Sequence, residues 1–181
     1  DQYLLKPAAK GYVAAVPLPA RVAFSPFVGN FGDLPNALNN LLQGRFSSAA
    51  SDVCRVLVNS TLGVLGFVDV ASEMGLEKHN KDFGQTLGYW GMKSGPYLVL
   101  PLLGPSTLRD AAALPVDYLS SPRGYVIKDV PVRNSISGVS VIDTRANLLG
   151  TDTTLDEAAL DKYSFLRNFY LQRRQSLIYE G

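Results

Sequence analysis

Ser60, Asp69 and His79 supply the side-chain types of a nucleophile, an orienting acid and a general base, the set that cleaves esters when geometry brings it together. Their surroundings argue against that chemistry. No G-x-S-x-G elbow surrounds Ser60, and His79, the only histidine, stands in the polar run 77–82, which reads as an exposed connection. Asn59, Ser60 and Thr61 suit the end of one helix and the start of another, because short polar side chains satisfy free backbone groups. Cys54 is the only cysteine, so an internal disulfide and a multi-cysteine metal site are both excluded. Its place in an apolar helical stripe predicts a small buried hydrophobe. Gly84, Gly88 and Gly91 do not make the G-x-G-x-x-G phosphate fingerprint, and no P-loop lysine follows them. Arg109 beside Asp110 reads as a solvated or paired helix start. The residues therefore point to no catalytic group, no metal and no cofactor, which leaves binding or passage.

The elements that must position any such site are unusual in composition. In the segment 83–110, FGQTLGYWGMKSGPYLVLPLLGPSTLRD, glycines and prolines interrupt large apolar side chains without helical or strand periodicity. Each glycine would cost a helix interior about 1 kcal/mol, and each proline removes a backbone donor. Such a run belongs under packed helices or against a non-aqueous phase. The whole chain agrees: among 181 residues charged side chains are 18% and hydrophobic ones 46%, against about 25% charged in an average soluble protein. A net charge of +1 without a basic run gives no footprint for nucleic acid. A membrane-spanning helix needs about 20 apolar residues in a row. The stretch 56–68 is too short and carries Asn59, Ser60, Thr61, Gly63 and Gly66, while 94–108 is broken by three prolines. The start at Asp1, without a charged start followed by an apolar run, reads as a processed or trimmed N-terminus.

Helices dominate the remainder. Leu34, Ala37, Leu38, Leu41 and Leu42 predict a short amphipathic helix with Asp33 as N-cap, Pro35 in its first turn and Gly44 as terminator. Phe46, Ala49, Ala50, Val53, Cys54, Leu57 and Val58 predict a longer one capped by Ser47, the pair forming a hairpin about Gly44. Thr107 is the expected cap of a helix from Leu108 towards Leu119, kinked or shortened at Pro115. Val132 to Leu149 follows helical spacing up to Gly150, and a final helix places Leu155, Tyr163, Leu166, Phe169, Tyr170 and Leu177 on one face. Its early acids and late arginines complement the helix dipole. Strand signal is confined to at most one short strand in 124–130.

Several ordered blocks resemble the MlaA (VacJ) family: NNLLQG at 39–44, RVLVNSTLGVLGFVD at 55–69, FGQTLGYWG at 83–91, GPYLVLPLLGPSTLRD at 95–110, TRANLL at 144–149 and YLQRR at 170–174. The resemblance covers nearly the whole chain, so residues 1–181 are expected to form one domain of that kind. It implies a mainly α, ring-like protein with an amphipathic channel, its helices lying in one membrane leaflet. It further implies a lipoprotein of the outer membrane, in the periplasm-facing leaflet. Such a protein removes misplaced phospholipid from the outer leaflet, associates with a porin trimer and delivers lipid to a periplasmic carrier. The family's lipidated N-terminal cysteine is absent from this sequence. Pro26 and Phe27 stand where relatives often carry Asn-Phe, and Phe27, Gly29 and Asn30 carry over as a gating hairpin. Under this reading Arg109, Arg133 and Arg145 are the expected headgroup contacts. Tyr89, Trp90, Tyr97, Leu98 and Leu100 are the expected channel or interface groups. Two alternatives stand beside it: a porin-binding adaptor that conducts no lipid, and a lipid hydrolase using Ser60.

Overall fold

The computed structural model describes residues 5–101, 103–147 and 161–179, and they are mainly helical. Leu5–Ala15 (α1) leads into Leu18–Leu42 (α2), a 25-residue helix that runs through Pro26 and Pro35. The short helix expected after Asp33 is thus the end of a longer one. Asp33 is buried inside it and caps nothing, and Phe27, Gly29 and Asn30 lie in helix rather than in a hairpin. An interior proline costs about 3 kcal/mol or more. The inner face of α2 offsets that cost: Asp33, Asn36, Asn39 and Asn40 are buried there and bond to other segments.

Gly44, at φ +73°, turns the chain into Phe46–Thr61 (α3), and α2 and α3 pack as the expected antiparallel pair. The left-handed backbone explains the glycine. Ser47 is not the cap, since Arg45 holds that position without a side-chain bond. More telling is which face is buried. On α3 it is Ala49, Asp52, Arg55 and Asn59, while Phe46, Val53 and Leu57 are exposed and Cys54 with them. On α2 Leu34, Leu38, Leu41 and Leu42 likewise face outwards. Both apolar stripes are real, but they form the outside of the molecule. Cys54 is accordingly a surface thiol.

A loop at 62–68, with Val64 and Leu65 at φ 51° and 58°, leads to Val70–Glu73 (α4), capped by Asp69. Asp82 caps Phe83–Tyr89 (α5), accepting the Gln85 N–H at 2.8 Å. Here the glycines do have a steric reason. A Cβ on Gly84 would meet Asp110 Oδ1 at 2.6 Å, and one on Gly88 would meet Arg109 Nη1 and the Ile178 side chain at 2.6 Å. Tyr97–Leu100 (β1) pairs antiparallel with Gly104–Thr107 (β2), from Tyr97 opposite Thr107 to Leu100 opposite Gly104. So the segment that lacked periodicity is a short helix followed by a two-stranded hairpin.

Thr107 caps Leu108–Ser120 (α6) as expected, its side chain accepting the Asp110 N–H, and α6 continues through Pro115. The strand allowed in 124–130 does not form. Pro122, at φ −66° and ψ −12°, starts the helical turn Arg123–Val126 (α7) instead. Val130–Asn147 (α8) packs on α1 and is tied to α2 by Ser25 Oγ donating to Asp143 Oδ2 at 2.6 Å. Lys162–Tyr179 (α9) turns Tyr170, Arg174 and Ile178, spaced by four, towards α5 and β2. Gly150 and residues 155–160 of the expected last helix lie outside the described residues. Among those described, no helix is long and apolar enough to cross a membrane, and no group of metal-ligating side chains is found.

Candidate functional site

α2, the 81–82 turn, the β-hairpin, α6, α7, α8 and α9 enclose a cavity of about 870 Å³. Leu100, Leu103, Leu114, Leu119 and Val141 give its wall an apolar side, and Ser106, Ser121, Ser137 and Ser140 a hydroxyl side. Its charges are Lys81, Arg123, Arg133 and Arg174 against Asp82, Asp110 and Asp117. Four cations against three carboxylates leave a positive balance when all are ionised.

These charges are held in two different ways. Arg174 is saturated. Its Nη1 and Nη2 grip Asp82 at 2.5 and 2.9 Å, and Nε donates to Asp110 at 3.0 Å. Burial disfavours its charge, but Asp82 and Asp110 more than offset that and push its pKa up. Both carboxylates are conversely held below their usual range by Arg174, against the opposing effect of burial. Tyr170 donates its hydroxyl to Asp110 at 2.9 Å, and burial, with Asp110 alongside, pushes it up to about 12. Lys81 Nζ donates to the Leu177 carbonyl, and burial together with nearby Arg45 brings it down to about 8.

Among the described residues the other two arginines of this wall, Arg123 and Arg133, have no carboxylate partner. Arg123 gives Nη2 to the Val28 carbonyl at 3.4 Å, and its buried Nε has no partner. Burial lowers its pKa, as expected for a cation without a counter-ion. The Nε of Arg133 is also buried without a partner. Two guanidinium groups on one cavity wall therefore carry their charge without a carboxylate among the described residues.

The expected site residues divide accordingly. Arg133 and Leu100 line the cavity. Arg109 does not: it is buried against Asp110 at 2.9 and 3.0 Å and faces a smaller cavity of about 520 Å³. Arg145 lies half-buried in the last turn of α8 and outside the lining of either cavity. Tyr89 and Trp90 are on the outer surface, Tyr89 beside the Arg45 guanidinium and Trp90 donating Nε1 to the Leu42 carbonyl at 3.1 Å. Leu98 is half-buried, and Tyr97 packs edge-on against Tyr163 and Tyr170. Phe27 stacks on Phe67 at 4.6 Å, the Gly29 carbonyl accepts from Lys78, and Asn30 donates to Ser60 Oγ at 3.1 Å. Those three residues fasten α2 to α3 and the segments that follow it.

Ser60, Asp69 and His79 are each bonded elsewhere. Asp69 accepts from Arg55, Asn59 and Ser72, while His79 Nδ1 pairs with Asp52 at 3.2 Å. No hydrogen bond among the described residues joins the three. Arg123, Asp117, Asp82 and Lys81 carried no sequence signal of a site, since none belongs to a periodic face. Tyr170 and Arg174 had one, standing four apart within YLQRR.

Comparison with known proteins places this geometry in context. The family model for the MlaA lipoprotein matches residues 1–177. The intermembrane phospholipid transport system lipoprotein MlaA of Shigella flexneri is 33% identical over 100% of this chain and 72% of its own length. The protein of the same name from Escherichia coli (strain K12) is 32% identical over the same shares. An uncharacterized protein of Rickettsia bellii is 34% identical over 98% of this chain and 70% of its own. A solved structure, described as the structural basis for maintenance of bacterial outer membrane lipid asymmetry, matches with a TM-score of 0.84 at 32% identity. It covers 98% of this chain and 89% of that one.

Proposed function

The chain belongs to the MlaA lipoprotein family, and from that premise we propose that it serves intermembrane phospholipid transport by letting lipid pass through the large cavity without covalent chemistry. One observation carries the reading: the guanidinium groups of Arg123 and Arg133, without a carboxylate among the described residues, on a wall that also offers apolar side chains. A phosphate diester supplies the missing acceptor, and its acyl chains suit Leu100, Leu114 and Leu119. Charge-assisted hydrogen bonds of this kind contribute about 1.5–3 kcal/mol each, enough to offset part of the cost of taking a headgroup from water. An adaptor that conducts nothing would need no polar interior lining.

The outward stripes of α2 and α3 and the apolar loop at 62–68 support a seat in the acyl region of the periplasm-facing leaflet of the outer membrane. There the lipid-anchored full-length protein removes phospholipid mislocalised to the outer leaflet. A porin trimer is its partner in the membrane, and a soluble periplasmic carrier receives the lipid. The test is transfer of labelled phospholipid from liposomes bearing the full-length protein to the carrier, followed by mass spectrometry of the product. Intact lipid is expected, with transfer reduced about 10-fold or more by Arg123→Gln combined with Arg133→Gln. Lysolipid or fatty acid that disappears with Ser60→Ala would overturn passage in favour of hydrolysis.

A further inference from the structure

The carboxylates of the cavity wall are not equivalent. Asp82 and Asp110 are committed to Arg174 at 2.5 to 3.0 Å, and Asp110 also accepts from Tyr170. Asp117, on the next turns of the same helix as Asp110, accepts only the Phe83 N–H, at 2.8 Å through Oδ1. Among the described residues no cation lies within ion-pair distance of it. Burial, with Asp82 nearby, pushes Asp117 up to about 6, which is what a carboxylate without a counter-ion should show. Among the described residues the cavity wall therefore carries charges of both signs without an ion-pair partner, the guanidinium groups of Arg123 and Arg133 and the carboxylate of Asp117.

We propose that this cavity selects headgroups in which a primary ammonium accompanies the phosphate, the phosphoethanolamine class, with Asp117 receiving the ammonium while Arg123 and Arg133 hold the phosphate. The inference rests on reading the cavity as a lipid site. A phosphoglycerol headgroup satisfies the arginines and offers Asp117 hydroxyl donors but no cation, so the half-buried carboxylate keeps an unbalanced charge beside the phosphate. A quaternary ammonium has no N–H to donate. Selectivity thus comes from one carboxylate to which only the primary ammonium brings both a positive charge and N–H donors.

The wall also predicts how that selectivity responds to pH. Facing Asp117 are Asp82 and Asp110, both held low by Arg174, then Lys81 at about 8, Tyr170 at about 12, and Arg123, Arg133 and Arg174. Between about pH 5 and 7 Asp117 is the wall group that changes charge.

The experiment compares phosphatidylethanolamine and phosphatidylglycerol of identical acyl chains as competitors for a fluorescent phospholipid bound to the full-length protein in detergent. Expected is a preference for ethanolamine of about 5- to 10-fold at pH 7 that fades towards pH 5. Asp117→Asn, which keeps an acceptor for the Phe83 N–H, removes the preference and binds phosphatidylglycerol more tightly. Equal binding of both lipids by the native chain at pH 7, or a preference that survives Asp117→Asn, overturns the proposal. The pH series makes the same test on the unaltered protein. If both lipids bind equally and both weaken with Arg123→Gln and Arg133→Gln, this inference fails while the lipid site stands. If neither lipid binds, both readings fall. Soluble phosphoethanolamine should compete only at far higher concentration, and competition equal to the lipid's would refute a lipid as the occupant.

Discussion

Around α3 and α4, Arg55 is ringed by acceptors: Asp33 at 3.4 Å, both oxygens of Asp69 at 2.9 Å, Ser72 and the Leu76 carbonyl. Across the molecule, Arg123 and Arg133 are drawn partly out of water with an empty Nε each. Arg55 is 1% exposed, and every nitrogen of its guanidinium is engaged. Burial alone pushes Asp69 up, yet hydrogen bonds from Ser72, Asn59 and Arg55 outweigh it and hold the group at about 2. The contrast separates a charge that builds the fold from one that our proposal assigns to a ligand. A buried cation surrounded by the chain's own oxygens has nothing left to offer, whereas one left short of acceptors destabilises the empty protein and gains from an anion.

Removing the arginines tests this most strongly. Arg55→Met leaves Asp33 with Lys78 alone and Asp69 without a cation, and is expected to cost about 3–5 kcal/mol, read by denaturant unfolding of the protein in detergent. Arg123→Met should change stability by less than about 1 kcal/mol, and in the favourable direction. A similar loss at both positions would erase the distinction. A smaller effect sharpens it from the acidic side. Because the folded pKa of Asp117 is raised, the folded state holds a proton that the unfolded chain releases between about pH 4 and 6. Stability from this group therefore falls as pH rises through that window. Asp117→Asn should stabilise the protein at pH 7.5 by about 1–2 kcal/mol after allowance for solvent screening, with the gain vanishing near pH 4. Asp69 behaves oppositely: its stabilising contribution is complete above its unfolded value and disappears only as pH falls towards about 2. The smallest effect is expected outside both regions. Cys54→Ser on the exposed face of α3 should shift stability by less than about 0.5 kcal/mol, and the native thiol should react rapidly with a maleimide in detergent.

Much of the frame was legible in the residues. The turn at Gly44, the cap at Thr107 and the span of α6 follow from local chemistry, and the ordered blocks identified the family. The direction of the helices was harder, because periodicity reports that two faces differ and not which one meets the interior. Leu34, Leu38 and Leu57 look like core and are surface, while Asp33, Asn40 and Arg55 look like surface and are core. The hairpin expected around Phe27 failed because Pro26 and Gly29 are local breakers, and the contacts that keep α2 helical come from residues 60 to 81, far along the chain. The site was least accessible. Arg133 stood out in the sequence and lines the cavity, but Arg123 and Asp117 are lone residues whose meaning, under the proposed function, lies in the partners they lack, and a missing partner leaves no mark in a sequence.

The close approach at Gly84 and Gly88 also bears on how this protein can change over generations. The outer faces can exchange Leu for Val or Phe with little consequence, since Leu34, Leu38, Leu41 and Leu57 are exposed among the described residues. At Gly84 and Gly88 a single methyl group would strike Asp110 or Arg109 and push α5 away from α6 and from α9, which carries Arg174. Tolerance to mutation is therefore limited less by the many large apolar residues than by glycines packed this closely, at Gly63, where a Cβ would meet the Val68 carbonyl oxygen at 2.1 Å, and at Gly84 and Gly88. Around the last two the cavity wall has almost no freedom to drift.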